Sequence, residues 1–598
     1  MSLSLSSTSF QFSCSRTTHP CSITGAASST FHSVTGGGGG RSSLVLNVGG
    51  STLCRRFRGF KLWILETLNV QPTKSTNRFK NSLETGKGVP ILRDDNKGTG
   101  VSIEASSLLQ TSSSTSAMDV GGAPSLCIAV IGATGELARR KIFPALFALY
   151  YTGFLPENVG IFGYSRKNIT DEDLRSIVAS TLTCRVDHQE DCGDKIDAFL
   201  GRTYYVNGGH DNTYGMSMLN ARMEQIEGSS KTNRIFYLSV PQEALLDVAS
   251  SLASSAQTQK GWNRVIIEKP FGFDAVSSQR LTRYLLSKFE EKQIYRIDHL
   301  LGRNLIENLT VLRFANLVFE PLWSRTYIHN VQVILSEDLA VHPGRYFGGY
   351  GIIRDIVHSH VLQTIALLAM EPPVSLDGED IRNEKVKVLR SIRELEPKDV
   401  ILGQYKASSG DKVDACINGL TPTYFAAALY IDNARWDGVP FLVKTGLGLI
   451  KHQMEIRIQF RHVPGNVYHE CIGHNIDRAT NELILRDVPD EAILVKINNK
   501  VPGLGLQLDS SELNLLYKDK YNVEVPDSYE HLLLDVIDGD NHLFMRSDEL
   551  AAAWNILTPI LNEIDKDNVS VELYELGGRG PVGAYYLWAK HGIRWVED

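Results

Sequence analysis

No acidic residue precedes Glu66, and the segment before it is rich in Ser and Thr with Arg16, Arg41, Arg55, Arg56, Arg58 and Lys61 scattered through it. An acid-free, hydroxyl-rich leader with isolated cations has the composition of an organelle transit peptide. We assign residues 1–60 to it and residues 61–120 to an unstructured extension. The glycine run Gly36 to Gly40 and the serine-rich stretch Ser106 to Ser116 read as linker, so folding is expected to begin near Gly121.

Cysteine is scarce. Eight in 598 residues do not make a disulfide scaffold, and Cys14, Cys21 and Cys54 fall in the leader. Long apolar runs are also missing: no segment offers about 18 consecutive apolar residues, so neither a transmembrane helix nor a membrane partner is expected. A strong charge of either sign is absent. The net charge of -7 supplies no diffuse attraction to nucleic acid or anionic lipid, so any phosphate recognition must come from a few placed cations. There is no internal repeat and no heptad pattern.

What the chain does have is 42% hydrophobic and 22% charged residues over a length that can bury more than one core, so two folded domains are expected. Leu126 to Ile131 is a β-type run ending at Gly132, and a helical stretch from Glu136 to Tyr150 follows directly. Further strands at Gly160 to Tyr164, Arg234 to Val240 and Arg264 to Ile267 alternate with helical segments. That alternation predicts an α/β Rossmann domain over 121–297. Beyond it, β-type runs at Ile328 to Leu335, Tyr424 to Ile431, Glu455 to Phe460 and Glu482 to Leu485 predict an α+β domain over 298–598 with a large, mainly antiparallel sheet.

In the turn Gly132-Ala133-Thr134-Gly135-Glu136-Leu137, glycines stand where the backbone must bend sharply and approach a pyrophosphate. Arg166 follows the second strand, where an NAD site carries an acid for the ribose 2′-hydroxyl. A guanidinium there favours a 2′-phosphate, which makes NADP the expected cofactor. Cys184 and Cys192 flank a polar stretch, Arg185 to Asp191, and spacing alone leaves open whether they pair. No metal site is expected.

Five ordered motifs carry a family resemblance: Ile267-Glu268-Lys269-Pro270-Phe271-Gly272, Tyr295-Arg296-Ile297-Asp298-His299, Val311-Leu312-Arg313-Phe314-Ala315-Asn316, Gly351-Ile352-Ile353-Arg354-Asp355 and Met545-Arg546-Ser547-Asp548-Glu549. From about Ser125 onward the chain resembles glucose-6-phosphate dehydrogenase. The resemblance implies His360 as the base that takes the sugar C1 hydroxyl proton and Asp298 as the carboxylate that orients it. It implies Lys269 as a contact to cofactor and substrate, and His299, Arg303, Glu337 and Asp355 as substrate contacts. Arg457 and Arg486 match a second, structural NADP site at which Val488 and Leu494 replace the expected side chains. Cys184 and Cys192 resemble the thioredoxin-responsive pair of the plastid branch, which implies a chloroplast stromal address and thioredoxin as a partner.

The phosphate end departs from the pattern. Where the family reads Arg-Ile-Asp-His-Tyr-Leu-Gly-Lys, this chain has Leu300 for the Tyr and Arg303 for the Lys. In the segment Gly446 to His452, Leu447 and His452 stand where the family has substrate-contacting cations, and Lys451 is expected to face elsewhere on a strand. The Gln-Asn-His preceding and including the base is His358-Ser359-His360, and the loop Asp338 to Gly349 is altered. These losses favour a catalytically inactive family member acting as a partner or regulator of active isoforms, with a homo-oligomer or a hetero-oligomer with those isoforms as its expected assembly, over an active enzyme making 6-phosphogluconolactone and NADPH from glucose 6-phosphate. A third reading is a dehydrogenase for a less phosphorylated sugar.

Overall fold

The computed structural model describes residues 124–183, 192–338, 347–406, 421–468, 480–521, 525–566 and 569–593. The leader, the extension, Cys184 and most of the altered loop lie outside them.

The first sheet contains β1 (Leu126–Ile131), β2 (Gly160–Ser165), β3 (Thr203–Asn207), β4 (Asn233–Leu238), β5 (Asn263–Glu268) and β6 (Ile294–Ile297), all parallel, in the order β3-β2-β1-β4-β5-β6. This is the doubly wound order expected of a dinucleotide-binding sheet. β1 is buried along its whole length, as a strand covered on both faces must be. β3 is short and only alternately buried, which hid it from a reading based on hydrophobic runs.

Among the described residues the second sheet has nine strands: β7 (Ile328–Ser336), β8 (Val400–Tyr405), β9 (Tyr424–Leu429), β10 (Phe441–Gly446), β11 (Gln453–Phe460), β12 (Glu482–Val488), β13 (Ala492–Lys500), β14 (Leu508–Leu516) and β15 (Val571–Tyr574). Their order is β14-β13-β12-β11-β7-β10-β9-β8-β15. β7 with β10 and β8 with β15 run parallel, and the other neighbours are antiparallel. The second sheet is therefore mixed and predominantly antiparallel.

Between β7 and β8 the chain forms a helix from Tyr350 to Ala369, long and apolar enough to cross a membrane by length and composition, yet 89% buried inside the fold. It is the core helix of the second domain, and its middle, Ile353–Val361, is wound as a π-helix. Such widened turns occur frequently at functional sites. This one carries Asp355, His358 and His360.

Candidate functional site

Lys269 and Asp298 directly follow β5 and β6, neighbouring strands of the parallel sheet, so both emerge at its carboxyl edge. That edge is where ligands bind in doubly wound folds. The π-helix brings His360 to meet them. His360 Nδ1 pairs with Asp298 Oδ1, while His360 Nε2 lies 3.0 Å from Lys269 Nζ. Lys269 also reaches Asp355, at 2.9 Å from its carboxylate and 3.0 Å from its carbonyl oxygen. With a carboxylate on one side and an ammonium on the other, the imidazole carries its proton on Nδ1 and its lone pair on Nε2.

Asp298 is fully buried, which by itself disfavours its charge, but the His360 ring, Lys269 and His299 together pull its carboxyl below the usual range. Burial first, then the neighbouring His360 and Lys269, push His299 down to about 3, so it is neutral at physiological pH. Asp355 behaves like Asp298, with Lys269 outweighing burial. Glu337 follows β7 and is shifted the other way, chiefly by burial, with His452 partly offsetting it. Asp298, His299, Lys269, Glu337, Asp355 and His360 are thus gathered into one site.

Four contributors escaped the sequence reading. Glu268 is raised to about 7 by burial and accepts a hydrogen bond from Tyr237 at 2.5 Å. Tyr529 also bonds Glu268, and its ring lies parallel to His299 with centroids 6.1 Å apart. Glu268 adjoins Lys269 in a motif the sequence displays. The two tyrosines lie far from it along the chain, with no signal to link them. Asp487 is the fourth.

Arg303, one residue past the short turn His299–Gly302, does not point into a free anion pocket: its Nη1 lies 3.2 Å from Oδ2 of Asp487. In the β11–β12 register Met454 pairs with Val488 and Glu455 with Arg486, so Asp487 is the extra residue of a β-bulge. A bulge re-aims its side chain, here towards Arg303. Asp487 Oδ2 is buried and has no hydrogen-bond donor among the described residues, so the pairing is coulombic rather than directional. His452 lies within electrostatic reach of both Asp487 and Glu337.

Two other phosphate-end positions, Leu300 and Leu447, are apolar. Leu300 is buried at 6% exposure and Leu447 at 4%. The segment carrying Leu447, Lys451 and His452 is a turn between β10 and β11, not a strand, so the expected strand alternation does not apply there. Lys451 is exposed, its carbonyl held by the Ser336 hydroxyl at 2.9 Å. His358 is buried with its ring stacked on Trp554, centroids 3.9 Å apart, and burial pushes it down to about 3.

At the nucleotide end, Gly132 has φ +92°, and a Cβ there would lie 2.0 Å from the Ser239 carbonyl oxygen. Only glycine permits this approach of turn and strand. Thr134 donates to Ser165 at 3.1 Å, and Arg166 is exposed beside them. Gly132, Ala133, Thr134, Gly135, Glu136, Leu137 and Arg166 thus line the carboxyl edge of β1 and β2, a fit to a dinucleotide phosphate cradle. Arg457, by contrast, is buried against Glu455 and lies 3.9 Å from Glu482, and Arg486 donates to the Asp490 carbonyl at 3.0 Å. Carboxylates already balance Arg457. Cys192 is buried at the head of the helix Cys192–Gly201, and its expected partner Cys184 lies outside the described residues.

Comparison with known proteins gives a consistent picture. Residues 129–308 match a family described as "Glucose-6-phosphate dehydrogenase, NAD binding domain" and residues 310–596 one described as "Glucose-6-phosphate dehydrogenase, C-terminal domain". The chain is 68% identical over 580 residues to an Arabidopsis thaliana protein named "Inactive glucose-6-phosphate 1-dehydrogenase 4, chloroplastic", covering 93% of each. It is 55% identical over 484 residues to "Glucose-6-phosphate 1-dehydrogenase, chloroplastic" of Spinacia oleracea, covering 79% of this chain and 84% of the relative. A solved structure described as "Glucose-6-phosphate dehydrogenase in complex with its substrate glucose-6-phosphate" superposes with TM-score 0.73 at 36% identity, covering 80% of this chain and 100% of the other.

Proposed function

The chain belongs to the glucose-6-phosphate dehydrogenase family, and from that premise we propose that it is a catalytically disabled member that partners active isoforms in the plastid. The observation that carries the proposal is the Arg303–Asp487 pair, 3.2 Å apart, at the end of the site where the family binds its substrate phosphate.

The family reaction removes a proton from the C1 hydroxyl and a hydride from C1. NADP, the family's cofactor, would be held by the Gly132–Leu137 turn and Arg166 and would supply the hydride acceptor. His360 Nε2 is the atom positioned to take the proton, with Asp298 stabilising the imidazolium that results. Substrate must first draw Lys269 away from His360 Nε2. Those proton-handling groups persist, so the lesion lies in capture. Each lost charge-assisted hydrogen bond to phosphate is worth roughly 1.5 to 3 kcal/mol. Losing two or three weakens substrate binding by about a hundredfold to ten-thousandfold or more. Asp487 deepens the loss by neutralising Arg303, the guanidinium that ends the signature turn.

The partner role rests on a fold retained from the nucleotide domain to the last strand of the second sheet, and on the 68% identical relative whose name marks it as inactive. The relatives named as chloroplastic, with the acid-free leader, support a plastid and stromal address. A thioredoxin-responsive disulfide between Cys192 and Cys184 belongs to the same proposal, supported by the place of Cys192 at the head of the helix Cys192–Gly201, directly after the polar stretch that separates the two cysteines. The alternative, an active enzyme, draws on the intact His360–Asp298 pair.

Two measurements test the reading. Glucose 6-phosphate titrated into the NADP-loaded chain is expected to bind far more weakly than to an active plastid relative. Mixing the chain with that relative is expected to yield hetero-oligomers with an altered rate. Tight substrate binding, or a chain that assembles only with itself, would overturn it.

A further inference from the structure

We propose that His210 is a second, pH-dependent determinant of NADP over NAD, acting with Arg166 on the ribose 2′-phosphate. The inference rests on the reading of Arg166 as the 2′-phosphate cation and adds a residue that no motif assigns.

His210 lies in the loop that follows β3 at the carboxyl edge of the first sheet, adjacent to the loop after β2 that carries Arg166. Tyr164, in β2, fixes this loop by donating its hydroxyl to the Gly209 carbonyl at 2.8 Å. Gly208 and Gly215 are the residues that leave room for the Tyr164 ring tip, which a Cβ at either would meet at 2.2 Å and 2.5 Å. His210 is therefore held by packing in the loop that adjoins Arg166.

The charged groups facing the imidazole are Arg166 from the β2 loop, Asp211 from its own loop and Asp247 from the helix Gln242–Ser255. His210 Nδ1 is buried without a hydrogen-bond partner among the described residues. A buried nitrogen with no acceptor is better left as a bare lone pair, so the neutral ring carries its proton on Nε2. Burial, and next the charge of Arg166, lower its pKa and keep it neutral at physiological pH. A 2′-phosphate held by Arg166 would offset that charge and favour protonation of His210. NADP then binds with uptake of a proton, and NAD, lacking the phosphate, does not.

The test is binding, not turnover. NADP and NAD are titrated into the full chain as wild type, Arg166→Ala, His210→Gln and His210→Ala, with thermal melts to show that each variant folds. Heats are recorded in buffers of different ionisation enthalpy to count protons. We expect His210→Gln to weaken NADP by about tenfold while leaving NAD within about twofold, and to abolish the extra proton uptake. Folded His210 variants that bind NADP like the wild type, with the same proton uptake, would overturn the inference. A wild type with no preference for NADP would instead overturn the reading of Arg166 beneath it.

Discussion

Arg303 Nη1 sits 3.2 Å from Asp487 Oδ2, so the guanidinium that stands where the family signature has a lysine is held by a carboxylate of the same chain. The Arg303 side chain is 45% exposed and that of Asp487 only 8%. The acid is the buried, fixed partner and the guanidinium the solvent-facing one. Because Asp487 is a bulge residue, its aim follows from strand register and not from side-chain freedom.

Charge repair should follow that order. Asp487→Asn should raise affinity for glucose 6-phosphate by about tenfold by freeing Arg303. Arg303→Lys alone should do less, because Asp487 would still neutralise it. The triple variant Asp487→Asn/Leu447→Lys/His452→Arg should exceed either. Calorimetric titration checks the ranking, and a full gain from Arg303→Lys alone would contradict it.

His531 should make stability depend on alkaline pH. Its Nε2 lies 3.0 Å from Glu307 and its Nδ1 3.2 Å from the Gly302 carbonyl, so the helix Ser528–Asp538 clamps the signature turn from behind. Burial opposes the charge, but Glu307 outweighs it and the imidazole is pushed up to about 9. A histidine raised on folding stabilises the native state below its ordinary pKa, and that contribution is lost as pH climbs through the folded value. The melting-temperature gap between wild type and His531→Gln should therefore be widest near roughly pH 6 and close above about pH 9. A gap that widens with pH would refute the pairing.

Lys385 and Glu549 form an ion pair at 2.9 Å with no exposure on either side chain, joining the helices Gly378–Ser391 and Ser547–Asp565. Lys385→Met alone should cost about 3 to 5 kcal/mol by stranding a buried carboxylate, whereas Lys385→Met/Glu549→Leu should recover most of it. Chemical denaturation of the three proteins measures both, and an equal loss in the double variant would contradict the account.

These relationships differ in how far the sequence discloses them. β1, the Gly132 turn and the parallel, helix-covered character of the first sheet were legible because a strand buried on both faces is a continuous apolar run and the turn needs glycine. The motifs around Lys269, Asp298 and His360 were legible as well, since each is local. β13 and β14 were not: their partly exposed faces read as polar chain. The widened turn under His360 has no composition of its own. Asp487 was invisible because one bulge, set by pairing with β11, decides where it points, and nothing between Glu482 and Val488 announces a skipped register.

The most direct test of the central claim is NADPH formation by the oxidised, full chain with saturating glucose 6-phosphate and NADP. It is run beside the variant Leu300→Tyr/Arg303→Lys/Leu447→Lys/His452→Arg/Asp487→Asn. The account predicts no turnover above background from the natural sequence and measurable turnover from the repaired one, because His360, Asp298 and Lys269 are already in place. Robust turnover by the natural sequence would show that the phosphate end still captures substrate, and the proposal of a disabled partner would fall.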